Sequence, residues 1–254
     1  MEVGVKTDIG KIREINQDAY YISRYKEHPL FIIADGMGGH KAGEIASKMA
    51  VEIISSILEK NYNNFCLDDD SIKKNIISSI IKANEKIYNK SLEDEEFSGM
   101  GTTVTLAYKN NKKIFIGHVG DSRAYLFRKG NLSQITTDHS LVEELIRNGS
   151  ISKEEAKNHP QRNIITRAVG TSKEIEADLI VEEKLKDDIL LLCTDGLTNM
   201  LMEDEIKEYL LINEDMQKLC ENLVMLSNGE IPLWHQHLFT DQYFQPLRNP
   251  TAGT

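Results

Sequence analysis

Two mainly apolar stretches of the sequence end in the same dipeptide, Asp-Gly. Leu30 to Ala34 precede Asp35-Gly36, and Ile189 to Thr194 precede Asp195-Gly196. A carboxylate at the end of a buried strand is costly to remove from water unless a partner compensates its charge. Carboxylate and backbone carbonyl oxygens are the ligands of hard divalent cations. A strand–turn–helix corner with a solvated aspartate explains one such stretch equally well, but two copies in one chain favour a shared metal pair.

Other residues that could do chemistry lie between and before these stretches. Asp121 follows a third predicted strand, and Arg13 lies five residues before Asp18 in a polar segment. The sequence alone leaves two interpretations of Asp121 open, a further metal ligand or a turn residue before Ser122. An isolated arginine is usually only a surface charge, although its guanidinium group is well suited to binding a phosphate.

Taken in order, these segments resemble the metal-dependent (type 2C) serine/threonine protein phosphatases in their compact bacterial form. The resemblance covers residues 1 to about 227. Its blocks are Arg13–Asp18, Ala34–His40, Gly99–Val104, Gly120–Arg123, Thr137–Ser140, Asn163–Gly170 and Cys193–Gly196. Agreement of several blocks in the same order is far more specific than any single short motif.

The resemblance implies a site for two Mn²⁺ or Mg²⁺ ions. Asp35 is expected to bridge the two metals, the Gly36 carbonyl to ligate one, and Asp195 to ligate the other. Asp35 and Asp195 are therefore the predicted catalytic residues, acting through a metal-bridging hydroxide that attacks the phosphate. Asp121 matches a position that binds a third, weaker metal in bacterial members of the family. Oxygen-only ligation favours Mg²⁺ or Mn²⁺ over zinc.

The resemblance also assigns the polar segment near the start of the chain. Arg13 matches the arginine that binds the phosphate, and Asp18 is expected to hold metal-bound waters. Thr102 and Thr103 are β-branched residues at the start of a strand, and we predict that they are structural and not nucleophilic. We assign no catalytic role to the histidines in or near the motifs, which are His40, His118, His139 and His159.

Hydrophobic spacing predicts the elements that position these residues. Apolar residues at helical spacing predict helices over 44–60 and after a cap at 68–71, and later over 203–211 and 215–226. Short apolar runs predict strands between them, with a further edge strand over residues 2–7. Strands and helices in separate runs favour antiparallel sheets with helices outside. The resemblance sharpens this fold class to α+β, a four-layer α/β/β/α sandwich of two antiparallel sheets with the metal cleft at one end, and it makes residues 149–161 part of a mobile flap.

The tail of the sequence departs from the family pattern. We divide the chain into a phosphatase domain, residues 1–227, and a divergent tail, residues 228–254, which replaces an expected Asp-Asn and final apolar strand. Glu230 lies near the position of the missing metal-binding aspartate, and Asp241 is the only aspartate in the tail. Three explanations stay open: a shifted reading frame, substitution by Glu230, or loss of one ligand with weaker metal binding.

The composition limits which partners the protein can bind and predicts where in the cell it lies. The 254 residues carry a net charge of −10, which argues against binding to nucleic acid. Three scattered cysteines, the absence of a recognisable signal peptide and the absence of a long apolar run predict a cytoplasmic protein that does not insert into a membrane. We expect this protein to be a monomer. Its expected partners are phosphorylated proteins, including a Ser/Thr kinase and the substrates of that kinase in bacterial signalling.

Two functions follow for comparison with the structure. The main prediction is an enzyme, a metal-dependent phosphatase that hydrolyses phosphoserine and phosphothreonine. The alternative is a degenerate phosphatase fold with weak or no activity that binds phosphoproteins as a regulatory module. The presence of Arg13, Asp18, Asp35 and Asp195 favours the enzyme, whereas the missing carboxylate in the tail favours the alternative.

Overall fold

A computed structural model describes residues 1–25, 27–39, 42–60, 68–110, 112–212 and 215–230 of the protein. The strands are β1 Asp18–Ile22, β2 Leu30–Met37, β3 Gly101–Thr102, β4 Val104–Lys109, β5 Lys113–Val119, β6 Arg123–Arg128, β7 Asn131–Gln134, β8 Asp178–Glu183 and β9 Ile189–Cys193. The α-helices are α1 Ala42–Lys60, α2 Asp69–Ser91, α3 Leu141–Arg147, α4 Lys153–Lys157, α5 Asp195–Thr198, α6 Glu203–Leu211 and α7 Met216–Ser227.

The strands form two sheets in which all pairs are antiparallel. The first sheet has the order β1-β2-β4-β5-β8, with the short β3 also paired to β2, and the second has the order β7-β6-β9. Strands β6 and β7 of the second sheet are joined by a tight turn at Lys129 and Gly130, both of which have positive φ. This arrangement confirms the prediction of two antiparallel sheets.

The side chains of each strand alternate between a helix-facing layer and a layer between the sheets, as a strand period of two requires. In the first sheet, Leu30 and Ile32 pack with α1 and α2, while Phe31 packs toward the second sheet. In the second sheet, residues 189 and 191 pack with α6 and α7, and residues 190 and 192 face the first sheet. The result is the predicted four-layer α/β/β/α sandwich.

The predicted helices agree with the structure to within two residues at their ends. Asp68 caps α2 by accepting a hydrogen bond from the backbone N–H of Ser71 at 2.9 Å. The predicted edge strand over residues 2–7 is wrong. The backbone of Val5 bonds instead to the side-chain amide of Gln217, at 3.1 Å and 3.0 Å, because this segment lies against the start of α7 and pairs with none of the described strands.

The described part of the tail is short. Residues 228–230 directly follow α7, and the backbone N–H of Glu230, an exposed residue, donates to Met225 O at 2.9 Å. Asp241 and the rest of the predicted tail lie outside the described residues, as do His40 and Cys66. Within the described residues, every helix is too short or too polar to cross a membrane.

Candidate active site

Asp18 and Asp35 form a cross-strand pair at one end of the first sheet. Their Cα atoms are register partners between β1 and β2, so both side chains point to the same face. Phe31 lies on that face of β2 and packs toward the second sheet, and Asp35 is four residues further along the strand. Two like charges directly opposite each other destabilise a sheet. The pair therefore needs a compensating partner from the space between the sheets.

The backbone of Asp35 is held by two threonines. The Asp35 backbone N–H donates to Thr103 Oγ1 at 2.9 Å, and Asp35 O accepts from the Thr103 backbone N–H and from Thr102 Oγ1, both at 2.9 Å. Thr103 Oγ1 also lies 2.7 Å from Ser122 Oγ. These bonds use both hydroxyls and fix the strand that carries Asp35, which agrees with the structural role predicted for the threonines.

Gly36 lies where no side chain fits. A Cβ atom on Gly36 would come within 2.0 Å of the Gly43 carbonyl oxygen at the start of α1. The backbone N–H of Gly36 donates to Gln17 O at 3.1 Å. The glycine thus lets the end of β2 pass directly against α1, next to Asp35. Ligation of a metal by the Gly36 carbonyl stays a prediction.

The second sheet brings Asp121 and Asp195 to the same end of the sandwich. Arg123 and Cys193 are register partners between β6 and β9. Asp121 lies two residues before Arg123 and Asp195 lies two residues after Cys193, and the charge of Asp195 contributes to the raised pKa of Asp121, so the two carboxyl groups lie close together. Asn199 Nδ2 donates to Asp195 Oδ2 at 3.0 Å across α5, which Asp195 begins.

One hydrogen bond joins the acidic groups of the two sheets. Thr194, next to Asp195, donates its hydroxyl to Asp18 Oδ2 at 3.0 Å. The sequence placed Thr194 in a motif but gave no signal for this contact, because it joins residues 176 positions apart. The structure therefore brings Asp18, Asp35, Asp121 and Asp195, which we call the acidic cluster, to one end of the sandwich.

The electrostatics of the acidic cluster show that the four carboxyl groups interact. Burial, followed by the charges of Asp18 and Asp195, raises the pKa of Asp35 to about 9. Burial, followed by the charges of Asp195 and Asp138, raises the pKa of Asp121 to about 7. Burial also raises the pKa of Asp18, against the hydrogen bond from Thr194. Each shift reports a carboxylate that is short of compensating positive charge.

The donor chemistry of the acidic cluster fits divalent cations. Asp121 Oδ1 is buried and has no hydrogen-bond partner among the described residues, and the groups that converge are oxygen donors. No three His, Cys, Asp or Glu side chains of the described residues are arranged to hold a metal by themselves. The predicted ligand set needs no such arrangement, since it combines Asp35 and Asp195 with the Gly36 carbonyl and water.

Arg13 is the predicted site residue that the structure leaves apart. It lies in the exposed loop before β1 and forms no hydrogen bond or ion pair with the other described residues. A free guanidinium group is available to a ligand, but its place at the phosphate stays a prediction.

Sequence reasoning missed a polar network behind Asp121. Arg123 forms a bidentate ion pair with Asp138, with contacts of 2.6 to 2.9 Å. His139 bonds to the backbone of Gly120 and to Asp178, and Asp178 bonds to Arg167. Arg123 and His139 lie within the sequence blocks that carry the family resemblance, so the sequence could have marked them, but Asp178 lies in none of these blocks.

The chain is similar over most of its length to known protein phosphatases. The family profile described as Protein phosphatase 2C matches residues 12–224. The serine/threonine phosphatase stp of Listeria monocytogenes is 39% identical over 230 residues, which are 90% of this chain and 90% of that protein. The solved structure of the S. agalactiae serine/threonine phosphatase has a TM-score of 0.81 and 38% identity, covering 90% of this chain and 93% of that one. The catalytic domain of the serine threonine protein phosphatase PstP, solved in complex with two manganese ions, has a TM-score of 0.77 and 30% identity, covering 89% and 90% of the two chains. This chain belongs to the protein phosphatase 2C family.

Proposed function

We propose that this protein is a metal-dependent serine/threonine protein phosphatase that hydrolyses phosphoserine and phosphothreonine in proteins. The observation that carries the proposal is the acidic cluster, in which two sheets deliver carboxylates to one point and burial and mutual repulsion raise their pKa values. The named phosphatase relatives support an active enzyme over the regulatory module.

Two Mn²⁺ or Mg²⁺ ions fit this cluster, and when bound they supply positive charge to the phosphoryl oxygens and acidify a bound water. Asp35, the Gly36 carbonyl and Asp195 are the residues that hold them, with Asp121 as the residue for a third ion. The PstP structure with two manganese ions supports the pair. Asp35 contributes from the first sheet and Asp195 from the second, so the reaction site lies between the sheets.

The other residues of the chain orient the reactants. Asp18 has one oxygen fixed by Thr194 at 3.0 Å, which leaves its other oxygen to accept from a water in the cleft. The exposed guanidinium group of Arg13 binds the phosphate with its planar fork of donors. No side-chain nucleophile is required, which agrees with the engagement of Thr102 and Thr103 in fixing Asp35.

The same proposal covers the biological setting. The substrates are phosphoproteins, among them a Ser/Thr kinase and its targets, and the enzyme is a cytoplasmic monomer in bacterial signalling. The phosphatase domain comprises residues 1–227, followed by the divergent tail of residues 228–254. Glu230 is exposed at the end of α7, so we assign it no ligand role.

A metal titration tests the proposal. Hydrolysis of p-nitrophenyl phosphate and of a phosphothreonine peptide is measured against Mn²⁺ concentration, with excess EDTA and the variant Asp35→Asn as controls. We expect saturable turnover of both substrates that EDTA and the variant abolish. A folded protein that shows no turnover at any Mn²⁺ or Mg²⁺ concentration would overturn the proposal in favour of a binding module.

A further inference from the structure

His139 holds both backbone groups of Gly120, the residue before Asp121. The Gly120 backbone N–H donates to His139 Nδ1 at 3.0 Å, and the His139 backbone N–H donates to Gly120 O at 2.8 Å. Gly120 has a φ of +113°, and a Cβ atom there would lie 2.5 Å from Thr103 Cγ2. His139 therefore holds the backbone of Gly120 on both sides, directly before Asp121.

The hydrogen bonds of His139 define its protonation. Because Nδ1 accepts from a backbone N–H, we assign the ring proton of the neutral imidazole to Nε2, which lies 3.2 Å from Asp178 Oδ2 and 3.1 Å from Arg167 Nη1. Arg167 Nη1 donates to the other oxygen, Asp178 Oδ1, at 2.9 Å. His139 itself is buried, with 8% of its surface exposed. Arg167, Asp178 and His139, which we call the histidine clamp, thus form a chain of contacts that ends at Gly120.

The histidine clamp also joins the two ends of the predicted flap. The Leu141 backbone N–H donates to Ile164 O at 2.9 Å, and the Thr166 backbone N–H donates to His139 O at 2.8 Å. Helices α3 and α4 lie between these two closing bonds. Arg167 follows the second bond directly. The base of the flap and the Asp121 turn are consequently attached to the same histidine.

We infer that His139, oriented by Asp178 and Arg167, is a positioning residue that fixes the Asp121 carboxylate relative to the base of the flap. The argument rests on Asp121, whose buried Oδ1 has no hydrogen-bond partner among the described residues. No side chain of the described residues fixes this oxygen, so its position follows from the backbone that carries Asp121. The inference rests on the proposed function, since it gives Asp121 its role toward a metal.

Three variants and a control separate the parts of the histidine clamp. His139→Leu removes the acceptor for Gly120 and the donor for Asp178, whereas His139→Asn keeps an acceptor oxygen near the position of Nδ1. Asp178→Asn changes only the half-exposed carboxylate, so it tests the clamp without disturbing the core. His159→Asn is the control, because His159 Nδ1 also accepts a backbone N–H, from Gln161 at 3.2 Å, but it lies within the flap and away from Gly120.

Two measurements on the full-length protein decide the inference. The first is amide hydrogen exchange of Gly120 and Asp121 by NMR in EDTA, which needs no metal and no activity. The second is Mn²⁺ binding by calorimetry without substrate. We expect His139→Leu to speed Gly120 exchange by about tenfold or more and to weaken the weakest Mn²⁺ binding step by about tenfold. Asp178→Asn should have a smaller effect in the same direction, His139→Asn should recover much of the protection, and His159→Asn should change neither quantity.

Results that would overturn the role of His139 can be distinguished from results that would overturn the proposed phosphatase function. Unchanged Gly120 exchange in a folded His139→Leu or Asp178→Asn variant would overturn the inference, and so would faster exchange with unchanged Mn²⁺ binding. A failure of the proposed function appears in the parent protein itself, which would neither bind Mn²⁺ nor hydrolyse p-nitrophenyl phosphate.

Discussion

The two sheets contribute equally to the acidic cluster, but β2 and β9, the strands that lead to Asp35 and Asp195, are buried to different extents. In the first sheet, Leu106, Phe115 and Ile116 are fully buried, because helices cover one face and the second sheet covers the other. In the second sheet, residues 189–192 of β9 are only partly buried, and β9 is the edge strand within the described residues. Asp35 is thus carried by a completed core, whereas Asp195 follows a strand whose outer edge is open in the described part of the chain.

The largest expected effect tests whether catalysis requires the carboxylates of both sheets. Asp35→Asn and Asp195→Asn should each lower kcat/KM for p-nitrophenyl phosphate by about 10³-fold or more, since each removes a carboxylate on which metal binding depends. Steady-state assays at saturating Mn²⁺ measure this. Retained activity in Asp195→Asn alone would show that the second sheet is dispensable for the chemistry.

The same Asp35→Asn variant should be more stable than the parent without metal. Burial and neighbouring charges raise the Asp35 pKa from 3.8 to about 9, so between these values the fold favours the protonated form and loses stability as pH rises. An uncharged amide avoids this loss, and we expect a gain of about 1 kcal/mol or more in the free energy of unfolding at pH 8 in EDTA. Urea unfolding checks the sign, and a decrease would contradict the charge argument.

Matched core substitutions compare the two sheets directly. Leu106→Ala in β4 should cost about 3 to 4 kcal/mol of unfolding free energy, because the side chain is 0% exposed. Leu191→Ala in β9 removes the same atoms from a partly buried position and should cost about 1 kcal/mol. Urea unfolding of both variants gives the comparison. Equal costs would contradict the contrast in burial between the two strands.

The sequence was enough to predict the two Asp-Gly strand ends, but not the contacts between residues within the site. Strand periodicity and the Asp-Gly ends identified Asp35 and Asp195, because both signals are local. The pairing of Asp18 with Asp35 depends on strand register, and the proximity of Asp121 to Asp195 depends on which strand pairs with β6; periodicity specifies neither across distant segments. The edge strand predicted over residues 2–7 failed for a related reason, since weak alternation does not say what a segment pairs with. Asp178, 39 residues from His139, lies in no motif.

A buried histidine between the sheets makes the free energy of unfolding depend on pH. Burial, followed by the nearby His139, lowers the pKa of His118 from 6.5 to about 4. The unfolded chain therefore binds a proton that the folded protein excludes, and stability is lost as pH falls from about 6.5 through about 4. We expect this histidine to account for about 2 kcal/mol of the stability lost between pH 7 and pH 5.

The variant His118→Gln isolates that contribution. It keeps an N–H donor for Thr137 O, which lies 3.1 Å from His118 Nε2, but it cannot be protonated in this range. Its loss of unfolding free energy between pH 7 and pH 5 should be smaller than that of the parent, whereas His159→Gln in the flap should behave like the parent. Identical pH profiles for His118→Gln and the parent would show that His118 is not the group responsible.

The smallest expected effect concerns Arg13, which belongs to neither sheet. Arg13→Ala should raise KM for a phosphothreonine peptide by about tenfold with little change in kcat, because a charge-assisted contact to phosphate is made in the bound substrate as well as in the transition state. Lys11→Ala is the matched control, since Lys11 is another exposed cation in the same loop. Neither change should alter stability, because Arg13 makes no hydrogen bond or ion pair within the described residues. An equal rise in KM for both variants would reduce the role of Arg13 to general electrostatic attraction, and a fall in kcat alone would move that role from binding to the chemical step.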